Sequence, residues 1–357
     1  MIVSDKTLKK LEAAWGDEQM NGPKTSAIPS DRKLGETRAL EAAFSDDAEG
    51  LRRALDELGK RGALRQLSIR AGVFNATPLM VAAMKGNLEA VKALADWSDL
   101  EARDAAGDTA LAYAVSNDRL ECAQWMQERG ARSDTVDDKG GTLLHEAAEG
   151  GAAMAKWVAS LPGVAKNAMN KNGEVAWVSA IIKEKEAAPA LLGLCDPRMA
   201  DGNGFTPLMA VSGNESGAVF HALLPLSDAN ARSRDGLTAL MMAACHGFAG
   251  RVKTLLAWPG VDAGAERDSS ANASDTVQTA LEWALMGAGE FGGERDQEEC
   301  VRLLSQATPL DVAERVLARV GKDAVPELFA RVEAQKLKEA VAGAPIQMAL
   351  RRAGGRL

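Results

Sequence analysis

Aromatic residues are scarce in this chain. They make up 4% of 357 residues, and tyrosine occurs once, as Tyr113. An interior so poor in rings must be built from Ala, Leu, Val and Met. That favours close-packed helices over a β-sandwich, which draws on aromatic and β-branched side chains. Cysteine is sparse too. Cys122, Cys195, Cys245 and Cys300 lie far apart with no C-x-x-C pair, so neither a zinc site nor a disulfide framework is implied. Each falls in a helix-like stretch and reads as a buried, reduced thiol. No run of about 18 apolar residues occurs, so no membrane span is expected. The N-terminal MIVSDKTLKKLEAAWGDE mixes charges throughout and lacks the apolar centre of a secretory signal. Basic charge is also short. The net charge of −8 argues against wholesale nucleic-acid binding.

The C-terminus breaks that acidic trend. Arg331, Lys336, Lys338, Arg351, Arg352 and Arg356 face only Glu333 and Glu339. Three readings fit: a solvated helix face, a contact with an acidic partner or lipid head groups, or a recognition tail for a secretion apparatus.

What the chain does have is repetition. NATPLMVAAMKGNLEAVKAL, residues 75–94, returns as DTALAYAVSNDRLECAQWM from Asp108 and GTLLHEAAEGGAAMAKWV from Gly141. EVAWVSAIIKEKEAAPALL, FTPLMAVSGNESGAVFHALL, LTALMMAACHGFAGRVKTLL and QTALEWALM follow from Glu174, Phe205, Leu237 and Gln278. The anchors are Thr77, Thr109, Thr142, Val175, Thr206, Thr238 and Thr279, at steps of 32, 33, 33, 31, 32 and 41. The last step carries an insertion, and RALEAAFSDDAEGLRRAL from Arg38 is an earlier copy.

Each copy reads physically as two short helices and a turn. Thr77 can cap a helix start, and Pro78 suits a first turn because it has no N–H to lose. Leu79, Ala82 and Ala83 then share one helix face. Gly86-Asn87 ends that helix, and Leu88, Val91, Leu94 and Ala95 form the face of a second. The connector holds Asp104-x-x-Gly107, a tight-turn pattern that recurs as DDKG at 137–140, NKNG at 170–173, DGNG at 201–204 and SRDG at 233–236. Twenty residues cannot bury two apolar faces alone, so each copy must lean on its neighbours.

TPLMVAA, TLLHEAA, TPLMAVS and TALMMAA resemble the T-P-L-H-x-A signature of ankyrin repeats, whose period is about 33 residues. The resemblance covers residues 35–307. It implies an all-α fold: an α-solenoid of antiparallel helix pairs with protruding β-hairpin fingers. Residues 1–34 are expected to be an N-terminal arm with a short helix at 5–14. Residues 308–357 are expected to be a helical cap and basic tail: a helix pair over 308–332, a short helix around 333–342, then the tail. Two departures are visible. Pro189 should bend or shorten the second helix of the Val175 copy, and the Thr142 copy is one residue short at its inter-helix turn.

No enzyme signature stands out. GAGEFGG at 287–293 matches G-x-G-x-x-G but follows a helical stretch, where dinucleotide binding needs a preceding strand; it reads as a loop. DGNGF at 201–205 lacks the later ligands of a calcium loop. His145 occupies the histidine slot of the signature, where the family uses it to bond adjacent fingers. His221 and His246 belong to no nucleophile motif. No cofactor, metal or catalytic residue is assigned.

The resemblance implies a protein-interaction surface made by the fingers and the first helix of each pair. Candidate contact residues are Lys139, Lys171, Asn172, Asn203 and Arg234 at finger tips, and Asp108, Glu174, Phe205 and Leu237 just before the anchors. On first helices they are Met84, Lys85, Asn117 and His246, with Tyr113, Met242 and Trp283 one helical turn earlier on the same face. Phe205 and Leu237 read either as interface anchors or as packing on the neighbouring finger. Trp97 and Trp258 are expected to close the core edge.

The expected function is a non-enzymatic scaffold that binds another protein, as a monomer, in the cytoplasm. An alternative is a bacterial effector delivered into a host cell by a specialised secretion system. An enzyme with its site in the groove or in 287–297 is the third reading.

Overall fold

The computed structural model describes residues 38–39, 42–43, 47–60, 75–183, 185–267, 279–290 and 296–343. The expectations for the N-terminal arm and the basic tail beyond Gly343 lie outside these residues. The chain divides into two compact units, Met1–Gly202 and Asn203–Leu357.

In the first unit the helices are α1 (Ala48–Lys60), α2 (Pro78–Lys85), α3 (Leu88–Ala95), α4 (Ala110–Ser116) and α5 (Leu120–Glu128). They continue as α6 (Leu143–Ala148), α7 (Ala152–Ser160), α8 (Ala176–Ile182) and α9 (Ala187–Ala190). First helices stack on first helices, α2 on α4, α4 on α6 and α6 on α8. Second helices do the same, α1 on α3, α3 on α5 and α7 on α9.

The second unit holds α10 (Pro207–Ser212), α11 (Gly217–Leu223), α12 (Ala239–Cys245) and α13 (Ala249–Ala257), followed by α14 (Ala280–Glu290), α15 (Gln297–Ala307), α16 (Leu310–Val320) and α17 (Pro326–Gly343). Here α10, α12 and α14 stack in turn, as do α13, α15 and α17.

The anchors do what their hydroxyls allow. Thr77, Thr109, Thr206, Thr238 and Thr279 each accept a hydrogen bond from the backbone N–H three residues on, at 3.2–3.3 Å, satisfying a donor the first helical turn leaves free. Two residues after each threonine anchor a leucine is locked inside: Leu79, Leu111, Leu144, Leu208, Leu240 and Leu281 are at most 2% exposed. Val175 has no hydroxyl and makes no side-chain cap. In that copy Trp177 fills the leucine slot at 1% exposure. Pro189 shortens α9 to four residues, and the Trp177 indole N–H donates to the Ala188 carbonyl at 2.9 Å.

Several expectations are corrected. The Thr142 copy loses its residue from the helix, not the turn: α6 has six residues against seven in α4, and three residues follow each. The fingers are short hairpin turns, two of them closed by antiparallel bridges, Val136–Thr142 and Met169–Val175. Gly287 and Gly289 lie inside α14, which runs to Glu290, so the first half of GAGEFGG is helix and not a loop; its last residues lie outside the described ones. The separate helix expected near 333–342 is the continuation of α17. Trp97 and Trp258 are half-buried at the ends of α3 and α13.

Candidate functional site

The fingers at 104–107, 137–140, 170–173 and 233–236 are each held by their first residue. The Asp104 carboxylate accepts from the Ala106 and Asp108 N–H groups at 2.8 Å. Asp137 accepts from Gly141, Asn170 from Asn172 and Glu174, and Ser233 from Leu237. Successive fingers are then tied by single backbone bonds: Asp138 N–H to Ala106 O at 2.9 Å and Lys171 N–H to Lys139 O at 2.7 Å. In the second unit, Arg234 N–H donates to Asn203 O at 2.7 Å. The bond from Gly202 N–H to Gly173 O is 2.6 Å long, and a Cβ on Gly202 would stand 2.8 Å from the Gly173 Cα. Only glycine lets those two finger tips approach.

His145 joins two fingers. Its Nδ1 accepts from the Thr142 N–H at 3.1 Å, which leaves the proton on Nε2 to donate to Glu174 O at 3.0 Å. That is the role expected of this slot.

In the first unit the fingers and first helices bring carboxylates together. Asp108, Asp137 and Glu146 border one cleft of only about 10 Å³ between two fingers and α6. Burial, with Glu146, Asp104 and Asp137 nearby and only Lys139 opposing, pushes the Asp108 carboxyl up to about 7. Burial also raises Glu146, with Asp137 adding to it. Among the described residues neither carboxylate has a salt-bridge partner. Tyr113 is half-buried, and its hydroxyl donates to Asp104 at 2.8 Å. Burial and that acid raise its pKa. The single tyrosine therefore ties its finger to α4. Asn117, one turn on, donates to the Tyr113 carbonyl at 2.8 Å.

The other candidates fall into three groups. Lys139, Lys171, Asn172, Glu174, Asn203 and Arg234 are exposed on the fingers, and Lys85 is half-buried at the end of α2. Phe205, Leu237, Met242, His246 and Trp283 are half-buried in the second unit. There, Met242 and His246 share one place: a Cβ on Gly213 would meet the His246 ring at 3.1 Å and the Met242 methyl at 3.2 Å. Arg267 lies over the Trp283 ring at 5.6 Å. Met84 is the correction. It is 2% exposed, as is Val81 on the same helix. Residues 78–84 of α2 are all buried, and at its C-terminal end the Arg119 stem lies beside Gly86 and its Nε–H donates to the Met84 carbonyl at 3.1 Å. Sequence reasoning passed over Asp137. Its signal was the turn pattern itself, which places an acid beside the next first helix.

All four cysteines are buried and none is in a disulfide, and burial pushes the Cys195 and Cys300 thiols up to about 11 and 12. Among the described residues no cluster of His, Cys, Asp or Glu could hold a metal ion, and no helix is long and apolar enough to cross a membrane.

Comparison with known proteins agrees with this geometry. The family described as "Ankyrin repeats" matches three times, over residues 41–137, 79–170 and 175–267. This chain belongs to the ankyrin-repeat family. Among solved structures it is similar to the ankyrin repeat domain of Bcl-3, described as a unique member of the IkappaB protein family. That match has 24% identity and a TM-score of 0.51, over 65% of this chain and 99% of that one. At that identity the likeness shows the fold. Comparison with curated proteins finds no match.

Proposed function

We propose that this chain is a scaffold that holds another protein against its fingers and first helices, without catalysing a reaction on it. One observation carries the reading. Asp108 and Glu146 are half-buried carboxylates that form no salt bridge among the described residues, on the side of the first unit that the fingers and first helices share. An unpaired, partly desolvated acid is costly to the fold, and a basic side chain from a partner would relieve it. The first unit is thus matched to a partner segment bearing Lys or Arg. In the second unit Met242, His246 and Trp283 offer an apolar contact of the kind that anchors interfaces.

A carboxyl held near 7 is also what a general acid or base shows. The cleft beside Asp108 measures about 10 Å³, which leaves no volume for a small organic substrate. The geometry therefore favours surface recognition.

Photo-crosslinking tests this. A crosslinking residue at Asn172 or Arg234, on the fingers, should capture one common partner. The same residue at Lys156 or Lys253, exposed on α7 and α13, should not. The Asp108→Asn/Glu146→Gln variant should lose the Asn172 crosslink. Equal capture from fingers and second helices would defeat the proposal.

A further inference from the structure

The second unit repeats the contact face of the first with different chemistry. Just before the anchors and on the open face of the first helices, the first unit places Asp108, Glu174, Glu146 and Glu149. Equivalent positions of the second unit carry Phe205, Leu237, Met242 and Trp283, all half-buried, with Met286 one turn beyond Trp283 at 49% exposure. Because α10, α12 and α14 stack in turn, these side chains lie on consecutive helices and form one apolar strip. Gly213, at the end of α10, leaves room in it: a Cβ there would meet the His246 ring and the Met242 methyl, which lean over that end. Methionine is unbranched and polarizable, so such a strip adapts to an apolar partner.

The backbone acceptors beneath the strip are already taken. At the end of α10 the carbonyls of Val211, Ser212 and Asn214 accept from Arg251. At the end of α12 the Met242 carbonyl accepts from the His246 ring at 2.9 Å, and the Cys245 carbonyl from the Gln297 amide at 2.9 Å. An extended peptide binds through backbone hydrogen bonds and would find these acceptors occupied. A helix satisfies its own backbone and needs only a matching face. The spacing fits as well. Packed helices stand about 8–10 Å apart, and residues seven apart on a helix are separated by about 10.5 Å. One apolar side chain can then meet Met242 while the next, two turns on, meets Trp283 and Met286.

Charge marks the finger side of the strip. Arg234 is exposed at its finger tip, and Arg267 lies over the Trp283 ring at 5.6 Å. Asp235 sets one carboxylate against these two cations, and its carbonyl accepts from the Arg267 Nε–H at 2.8 Å. The neighbouring Glu266 is turned to Arg315 and Arg319. The edge is complementary to acid, where the first unit is complementary to base.

We infer that this strip seats an amphipathic helix of a partner protein, apolar along i, i+3, i+4 and i+7 and acidic along the edge that meets Arg234 and Arg267. The inference rests on the proposed reading of the fingers and first helices as the contact side, and it names what the second unit takes there.

Fluorescence anisotropy on the full chain tests this with three labelled peptides of equal length, built from Ala, Gln, Leu and one charged residue type. The first sets Leu at i, i+3, i+4, i+7 and i+10, with Glu along one edge. The second has Lys for each Glu. The third has the composition of the first with Leu at every other place. The first should bind at least about tenfold more tightly than either of the others. Met286→Ser changes an exposed side chain, so it should fold normally and weaken the first peptide about threefold; adding Met242→Ser should bring the loss to about tenfold, with an unchanged circular dichroism melt as the check on folding. Arg234→Gln should narrow the preference for Glu over Lys. Equal binding of all three peptides, binding of none, unweakened serine variants or an undiminished preference in Arg234→Gln would overturn the inference. Asp108→Asn/Glu146→Gln should bind the first peptide as the parent does; weaker binding would place the peptide on the first unit and overturn the inference too. Failure of the peptides with the Asn172 crosslink intact would sink this inference alone. Equal capture from fingers and second helices, with the peptides bound as expected, would sink the reading of the first unit alone.

Discussion

In the unit that ends at Gly202, Asp108 and Glu146 are partly buried and form no salt bridge among the described residues. In the unit that begins at Asn203, buried charge is matched. Glu282, with its side chain 2% exposed, is clamped by Arg319 through Nε at 2.6 Å and a second guanidinium nitrogen at 3.2 Å, and it accepts from the Thr279 N–H and hydroxyl. Arg251, 7% exposed, donates to the carbonyls of Val211, Ser212 and Asn214 and lies 4.2 Å over the Phe248 ring. The repeat scaffold is the same in both units. The difference separates charge that holds a fold together from charge that costs the fold and awaits a ligand, the role proposed above for the acids.

Breaking the matched pair should have the largest effect. Arg319→Ala leaves Glu282 buried without its cation and removes a tie from α16 to α14. A loss of about 3–5 kcal/mol is expected in urea unfolding. An unchanged urea midpoint would show that the pair contributes nothing. Leu79→Ala in the first unit and Leu240→Ala in the second should each cost about 2–5 kcal/mol. Similar losses would show that the two units share one packing scheme; a large disparity would break the comparison at its core.

A smaller effect is expected at the finger tips. Gly202→Ala sets a Cβ 2.8 Å from the Gly173 Cα, so the fingers must separate at about 1–3 kcal/mol. Faster hydrogen exchange at the Gly202 amide would report it, and unchanged exchange would deny the close approach.

Asp108→Asn should have the smallest effect, and it should be stabilising. Because folding raises the Asp108 pKa to about 7, the unfolded chain releases its proton first. Stability therefore falls as pH rises from about 4 to that value. The asparagine variant should match the parent at pH 4 and exceed it by about 1 kcal/mol at pH 8, after solvent screening. Paired urea titrations at the two pH values would decide the sign. Destabilisation at pH 8 would mean that the acid is matched after all.

Much of this was legible in the residue order. The period of the anchors, the leucine two places after each, and the glycine closing each turn are local features, and the backbone obeys them: Gly107, Gly140, Gly173, Gly204 and Gly236 all have φ between 75° and 87°. Pro189 announced the short α9. The His145 slot announced the bond between fingers. Exposure was less legible. Met84 and Val81 occupy groove positions by number, yet Arg119, more than thirty residues on, lies across the end of α2. Tyr113 looked like a contact residue and is a strut to Asp104.

By itself, then, the order of residues determined the helix pairs, their turns and the need of each pair for its neighbours, because capping, helix periodicity and positive-φ glycines act within a few residues. Only the tertiary structure decided which charges are paired and which side chains remain available. Those depend on desolvation and on partners such as Arg319 for Glu282 or Arg119 for Met84, brought together from positions far apart in the chain.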